Sequence, residues 1–161
     1  MTQALLYKGD HINRANVVWN IAGSFVYAFA SMVLSFLVIR LAGEEQGGIF
    51  SFGFSTLGQQ LFLVAYFGIR PFHITDGAGE YTFGDYREHR NITCLIALAA
   101  GAVFMMIRHG AYLRGVGDYN GEKCTILLLL VVYKVIDGYA DVYESEFQRQ
   151  GSLYLTGKSN F

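Results

Sequence analysis

Between Arg14 and Arg40 the chain runs for 25 residues without an Asp, Glu, Lys or Arg, and between Glu45 and Arg70 it does so again for 24. A helix rises about 1.5 Å per residue, so about 20 residues cross the roughly 30 Å hydrocarbon core of a bilayer. Both runs are long enough. A third, Asn91 to Ile107, has 17 uncharged residues and reaches the same length when Arg108 extends its guanidinium toward the headgroups. ITCLIALAAGAVFMMI and ILLLLVVY are apolar on every side, whereas helices of a water-soluble bundle keep a polar face. The chain is therefore expected to be an all-α integral membrane protein with four transmembrane helices, near 16–40, 47–70, 91–112 and 124–143. A cytoplasmic loop is expected over 71–90 and a polar tail over 144–161.

The fourth span is unusual. TILLLLVVYKVIDGYADVYE, residues 125–144, begins as lipid-facing sequence and then places Lys134, Asp137 and Asp141 where aliphatic residues are expected. On a helix continuing to Gln148, Lys134, Asp137, Asp141, Glu144 and Gln148 fall within about 80° of one another. Lys134 and Asp137 are helical neighbours, which leaves Asp141 without a local partner. A charge inside a membrane costs about 2.5 to 3.5 kcal/mol on insertion scales and is usually turned toward a bundle interior or water. The other reading is that the span ends near Val135, with the charges among the headgroups.

Polar residues also form stripes on the first two spans. At 100° per residue, Asn16, Asn20, Ser24, Tyr27, Ser31 and Ser35 share an arc of about 100°, and so do Gly48, Ser51, Ser55, Gln59, Tyr66 and Arg70. Such faces lose hydrogen bonds in lipid, so they are expected to meet other helices or a hydrated cavity. Close helix packing through small and amide side chains is the simpler of these two explanations.

Lys8, Arg14, Arg70, Arg87, Arg90, Arg149 and Lys158 lie on the amino-terminal side of the expected membrane, against Arg40, Arg108, Arg114 and Lys123 on the other. That excess places the amino terminus in the cytoplasm. Ala28-Phe29-Ala30 has the form of a signal-peptide cleavage site, but the apolar run continues to Ile39, which favours an uncleaved first span. Pro71 is expected to close span two, and Gly77, Gly79 and Gly84 to mark a flexible loop. No internal repeat is evident.

The formal net charge of −1 argues against nucleic acid as a partner, since a phosphate-binding surface needs a basic excess. Cys94 and Cys124 stand at the expected starts of spans three and four without metal-ligand spacing, and read as packing residues. His73, Asp76 and Glu80 have helical i, i+3, i+7 spacing, but Pro71 and the glycines make a helix there doubtful, so no metal or other cofactor is expected. There is no phosphate loop, nucleophile elbow or catalytic Cys/His pair, so an enzyme is not expected.

NVVWNIAGSFVYAFASMVLSFLVIRLAG, GGIFSFGFSTLGQQLFLVAYFGIRPFHITD, YTFGDYREHR and VVYKVIDGYADVYESEFQRQGSLYLTGKS together resemble the amino-terminal portion of polysaccharide or lipopolysaccharide biosynthesis proteins of the oligosaccharide flippase family. That family belongs to the multidrug/oligosaccharidyl-lipid/polysaccharide exporter superfamily. The resemblance implies the first part of a two-lobed exporter of about 12 to 14 helices, with a cavity opening alternately to each side. On this reading the chain is an amino-terminal fragment that lacks the carboxy-terminal helices, and LTGKSNF resembles the start of a fifth helix.

The substrate implied is a lipid-linked oligosaccharide of the undecaprenyl-pyrophosphate type, moved across the cytoplasmic membrane for cell-surface polysaccharide biosynthesis. The stripes would line the cavity, with Arg70, Arg14 and Lys134 meeting the anionic head group and Asn20 and Gln59 lining the same space. Asp137 and Asp141 have the sign suited to cation coupling. The alternatives are a cation-coupled drug exporter of the same superfamily and a non-transporting four-helix membrane subunit that docks on partner helices.

Overall fold

The structure is a computed structural model that describes residues 11–161; Lys8 lies outside the described residues. Every regular element among them is helical: α1 (His11–Ser51), a π-helical segment (Phe52–Leu57), α2 (Gly58–Tyr66), α3 (Ile69–Thr75), α4 (Phe83–Leu113), α5 (Gly121–Arg149) and α6 (Leu153–Ser159).

α1 is broken at Gly43, whose φ of 88° and ψ of 176° are open to glycine but strained for other residues. Beyond the break the chain folds back on itself. A Cβ on Gly47 would lie 2.9 Å from the Cα of Ile39, whereas the same eight residues in a straight helix span about 12 Å. The chain then passes along the bundle in the opposite direction.

α2, α4 and α5 form the packed core, around Leu61, Ala65, Cys94, Ala97, Val131 and Val135. Small residues set the helix spacing. A Cβ on Gly101 would come within 2.7 Å of Val131, and one on Gly138 within 2.9 Å of Ala65, so both glycines mark close helix approaches. Gly53 lies beside Leu127, Gly58 beside Lys134 and Ala65 beside Gly138, so the π segment and α2 run parallel to α5. α4 runs antiparallel to them, with Gly101 at Val131, Cys94 at Val135 and Arg90 at Asp141.

α1 is seated on α6 and on α5. Asn16 donates to Gly151 O and accepts from Tyr154 N, while Gly23 and Gly157 meet backbone to backbone. The chain thus travels the length of the bundle four times among the described residues, up α1, back through α2 and α3, up α4 and back along α5.

Two helical stretches among the described residues are long and apolar enough to cross a membrane, His11–Tyr66 and Phe83–Leu113. The most apolar 18-residue window of the first has a mean hydropathy of 2.0 and no buried residue. Ile21, Phe25, Phe29, Met32 and Phe36 are all exposed. The core helix of a water-soluble protein would bury this surface; here it forms the outside. α5 does not belong with those two stretches, because Lys134, Asp137 and Asp141 interrupt its apolar half.

The expected element boundaries shift at one end of the bundle. Span two is interrupted at Phe67 and Gly68, with φ of 43° and 66°, ahead of Pro71. Pro71 sits in the first turn of α3, where its missing N–H has no intrahelical partner to lose. Much of the expected loop 71–90 is helical, since α4 begins at Phe83. Its start is fixed by a capping box in which Thr82 Oγ1 accepts from Asp85 N and the Asp85 carboxylate accepts from Thr82 N.

Candidate functional site

The break between α2 and α3 leaves backbone carbonyls without helical partners, at the negative end of a helix dipole. Arg90 answers them from α4. Its Nη1 donates to Ala65 O at 2.8 Å and Tyr66 O at 2.9 Å, and Thr93 Oγ1 donates to Ala65 O at 2.8 Å. Nη2 donates to Asp141 Oδ2 on α5 at 2.7 Å. The Arg90 side chain is wholly buried and that of Asp141 is 8% exposed.

Asp141 is shared by two arginines. Its Oδ1 accepts from Arg70 Nη1 at 2.7 Å, and Arg70 Nη2 donates to Gln148 Oε1 at 3.0 Å. Arg70 also stands 3.5 Å from Glu144, a longer contact between side chains that are 24% and 29% exposed. Arg70, Arg90, Asp141 and Glu144 together carry no net formal charge, which is the condition for burying them in a medium of low dielectric. Arg70 is the arginine of this group with a face open to a ligand.

A second polar group lies further along α5. Lys134 Nζ is 3.4 Å from Asp137 Oδ2, which also accepts from Tyr27 OH of α1 at 3.1 Å. The ammonium lies 4.7 Å from the centre of the Phe54 ring, so an aromatic face shares the charge. A third group joins the ends of α3 and α5. His73 Nε2 is 2.8 Å from Glu146 Oε2, and Arg149 Nε and Nη2 hold the two oxygens of that carboxylate at 2.8 Å each. Hydrogen bonds from Arg149, then Gln150 and His73, overcome the effect of burial and bring the Glu146 carboxyl down to about 2.

The face read on α5 is therefore turned inward. Lys134 and Asp141 are buried, and Asp137, Glu144 and Gln148 are half-buried beside them. The stripe on span one is divided: Asn16 and Tyr27 bond to α6 and α5, Asn20 is half-buried close to Gly157, and Ser24 is exposed.

The stripe on span two is where the structure departs from expectation. Ser51, Ser55 and Gln59 are exposed, and the buried positions are Gly53, Gly58, Leu61, Ala65 and Ile69. The stripe faces outward from its start, since Gly48 and Ser51 precede the π segment and are already exposed; the π segment, with its i→i+5 bonds, then shifts the register of the residues beyond it. A constant 100° step cannot be carried through it. Arg14 is exposed as well, so neither Arg14 nor Gln59 joins the buried groups.

His73, Asp76 and Glu80 do not converge. His73 turns to Glu146, and the Asp76 carboxylate accepts from Glu80 N, Tyr81 N and Tyr86 OH, which keeps it below the usual carboxylate range. Cys94 and Cys124 are free thiols within hydrogen-bond reach of backbone carbonyls of Val135 and Tyr119.

Sequence reasoning assigned Arg90 to the loop and missed it as a buried residue. The signal was present: Tyr86, Arg90, Cys94, Ala97, Gly101 and Met105 are buried positions of α4 spaced three and four apart, with Thr93 buried beside them. An arginine in that register has to find partners inside the bundle.

Compared with known proteins, the chain matches no family model, no curated protein and no solved structure.

Proposed function

We propose that this chain belongs to a multi-pass transport protein of the cell membrane that moves lipid-linked oligosaccharide of the undecaprenyl-pyrophosphate type. The four passes of the bundle are four spans in this reading, with the amino terminus in the cytoplasm. The observation that carries it is the neutral cluster of Arg70, Arg90, Asp141 and Glu144, packed at one end of a bundle whose α1 and the middle of whose α4 present apolar side chains outward. Charge inside a membrane bundle is costly and marks the path or site of a polar substrate.

Arg70 is the head-group contact. Its firm bond to Asp141 holds the guanidinium in place, and its long contact to Glu144 is the one a pyrophosphate oxygen would replace. Lys134 is held by Asp137 and the Phe54 ring.

In membrane vesicles from source cells with and without the gene, leaflet distribution of the lipid-linked glycan is the test. Accumulation on the cytoplasmic leaflet in the deletion strain supports the reading, and equal distribution in the two strains overturns it. A second reading, a subunit that docks on partner helices, is favoured by the exposed polar side chains of Ser51 and Gln59, which need hydrogen-bonding neighbours at membrane depth. Co-purification of a stoichiometric helical partner, with unaltered glycan distribution, would mark that case.

A further inference from the structure

At the end of the bundle remote from Arg70, a cavity of about 470 Å³ opens between the chain reversal after Gly43, the end of α4 and the start of α5. Tyr119 lines it; this residue is 8% exposed and its carbonyl lies 3.0 Å from His109 Nδ1. Arg108 stands 4.3 Å from the centre of the Tyr119 ring and Lys123 stands 4.7 Å from it, so one ring orients two cations. Lys123 is paired with Asp118, and this bond holds the Asp118 carboxyl below its usual range.

Arg108 and Glu45 border the same cavity and form no ion pair among the described residues. The wall therefore offers a guanidinium for an anion and a carboxylate for a cation. Ile49 and Phe52 extend it as an apolar surface, and Met106, Ile107 and Leu113 beside it are exposed.

We propose that this cavity binds the phosphoethanolamine head group of a membrane lipid, with its phosphate against Arg108 and its ammonium against Glu45. A phosphatidylglycerol head group would leave Glu45 beside an uncharged diol. A water-soluble phosphoamine would leave Ile49 and Phe52 facing water. The inference rests on the membrane reading above.

The test is native mass spectrometry of the protein released from nanodiscs of equal phosphatidylethanolamine and phosphatidylglycerol. A phosphatidylethanolamine adduct enriched about tenfold over the bulk ratio is expected, the scale of one charge-assisted contact. Glu45→Gln should abolish the preference between the two lipids, and Arg108→Gln should lower retention of both. Both side chains are exposed, so neither glutamine removes a core contact. Equal retention by the unaltered protein, or adducts unchanged in both variants, overturns the assignment. Displacement by soluble glycerophosphoethanolamine as effective as by the lipid overturns the lipid source. Recovery of the protein in the supernatant of alkaline-washed membranes overturns the membrane reading itself, a separate failure.

Discussion

Arg90 and Asp141, 51 residues apart in sequence, meet through a hydrogen bond of 2.7 Å between α4 and α5, the arginine wholly buried and the aspartate nearly so. The same guanidinium closes the carbonyl end of α2. One side chain thus ties three helices together and compensates a carboxylate inside the bundle.

Arg90→Met should destabilise the protein by about 3 to 5 kcal/mol, because it strips a buried carboxylate of one partner, takes the guanidinium donor from Tyr66 O and leaves Ala65 O with Thr93 alone. Asp141→Leu should cost a similar amount by leaving the buried Arg90 without a carboxylate and Arg70 with only its longer contact to Glu144. The double variant should cost less than their sum, with a coupling of about 0.5 to 3 kcal/mol, since neither orphaned charge remains at that contact. Denaturation in detergent, run as a double-mutant cycle, measures this. Additive costs would show that the contact carries no coupling.

Two glycines of α4 should respond oppositely to alanine. Gly101 is buried, and a Cβ there would come within 2.7 Å of Val131, so Gly101→Ala should cost about 1 to 3 kcal/mol as α4 and α5 are pushed apart. Gly110 has nothing within 4 Å of its Cβ position, so Gly110→Ala should stabilise by about 0.4 to 1 kcal/mol through the unfolded chain. Equal effects in thermal melts would contradict the packing described.

Phe67 has a φ of 43°, and its side chain is 69% exposed. A non-glycine residue in that region carries about 1 to 2 kcal/mol of steric cost with little packing to offset it. Phe67→Gly is expected to raise stability by about 1 kcal/mol and to keep the bend between α2 and α3. A lower melting temperature for the variant would show that the exposed ring contributes more than the strain costs.

Much of the helical architecture was legible because charge-free runs of that length admit few other structures. The inward face of α5 was legible too: Gly121–Arg149 is one uninterrupted helix, so angular positions computed at 100° per residue stay valid. For span two the direction of the polar face was not legible: Gly48 and Ser51, ahead of the π-helical Phe52–Leu57, are already exposed, and the widened turn moves the side chains beyond it. The pairs Arg90–Asp141 and His73–Glu146 were not legible, because they join residues on different helices that only the packed bundle brings together. The break at Phe67 and Gly68 lay close to the Pro71 signal but three to four residues ahead of it.

The Glu146 group predicts an acid-sensitive junction between α3 and α5. Its carboxyl is lowered from 4.5 to about 2 in the folded protein. A depressed folded value means that the stabilisation is complete above about pH 4.5 and is lost as the pH falls toward 2. Glu146→Gln does not titrate and should be less stable than the natural protein at neutral pH. The difference should shrink between about pH 4.5 and pH 2 in unfolding measurements. A constant difference across that range would remove the carboxylate as its cause.

Arg70 joins the fold to the proposed substrate, and its two carboxylate contacts are unequal, 2.7 Å to Asp141 and 3.5 Å to Glu144. An anionic head group competes with the weaker of them. Glu144→Gln removes a negative charge from the approach to Arg70 while leaving the Asp141 bond, so a pyrophosphate-bearing lipid should bind several-fold more tightly. Arg70→Gln removes the guanidinium and should weaken binding about tenfold, the scale of one charge-assisted contact. Titration of a fluorescent pyrophosphate lipid into detergent-solubilised protein distinguishes these directions. Because both side chains are partly exposed, an unaltered affinity in both variants, with native melting behaviour, would assign Arg70 to helix pairing alone.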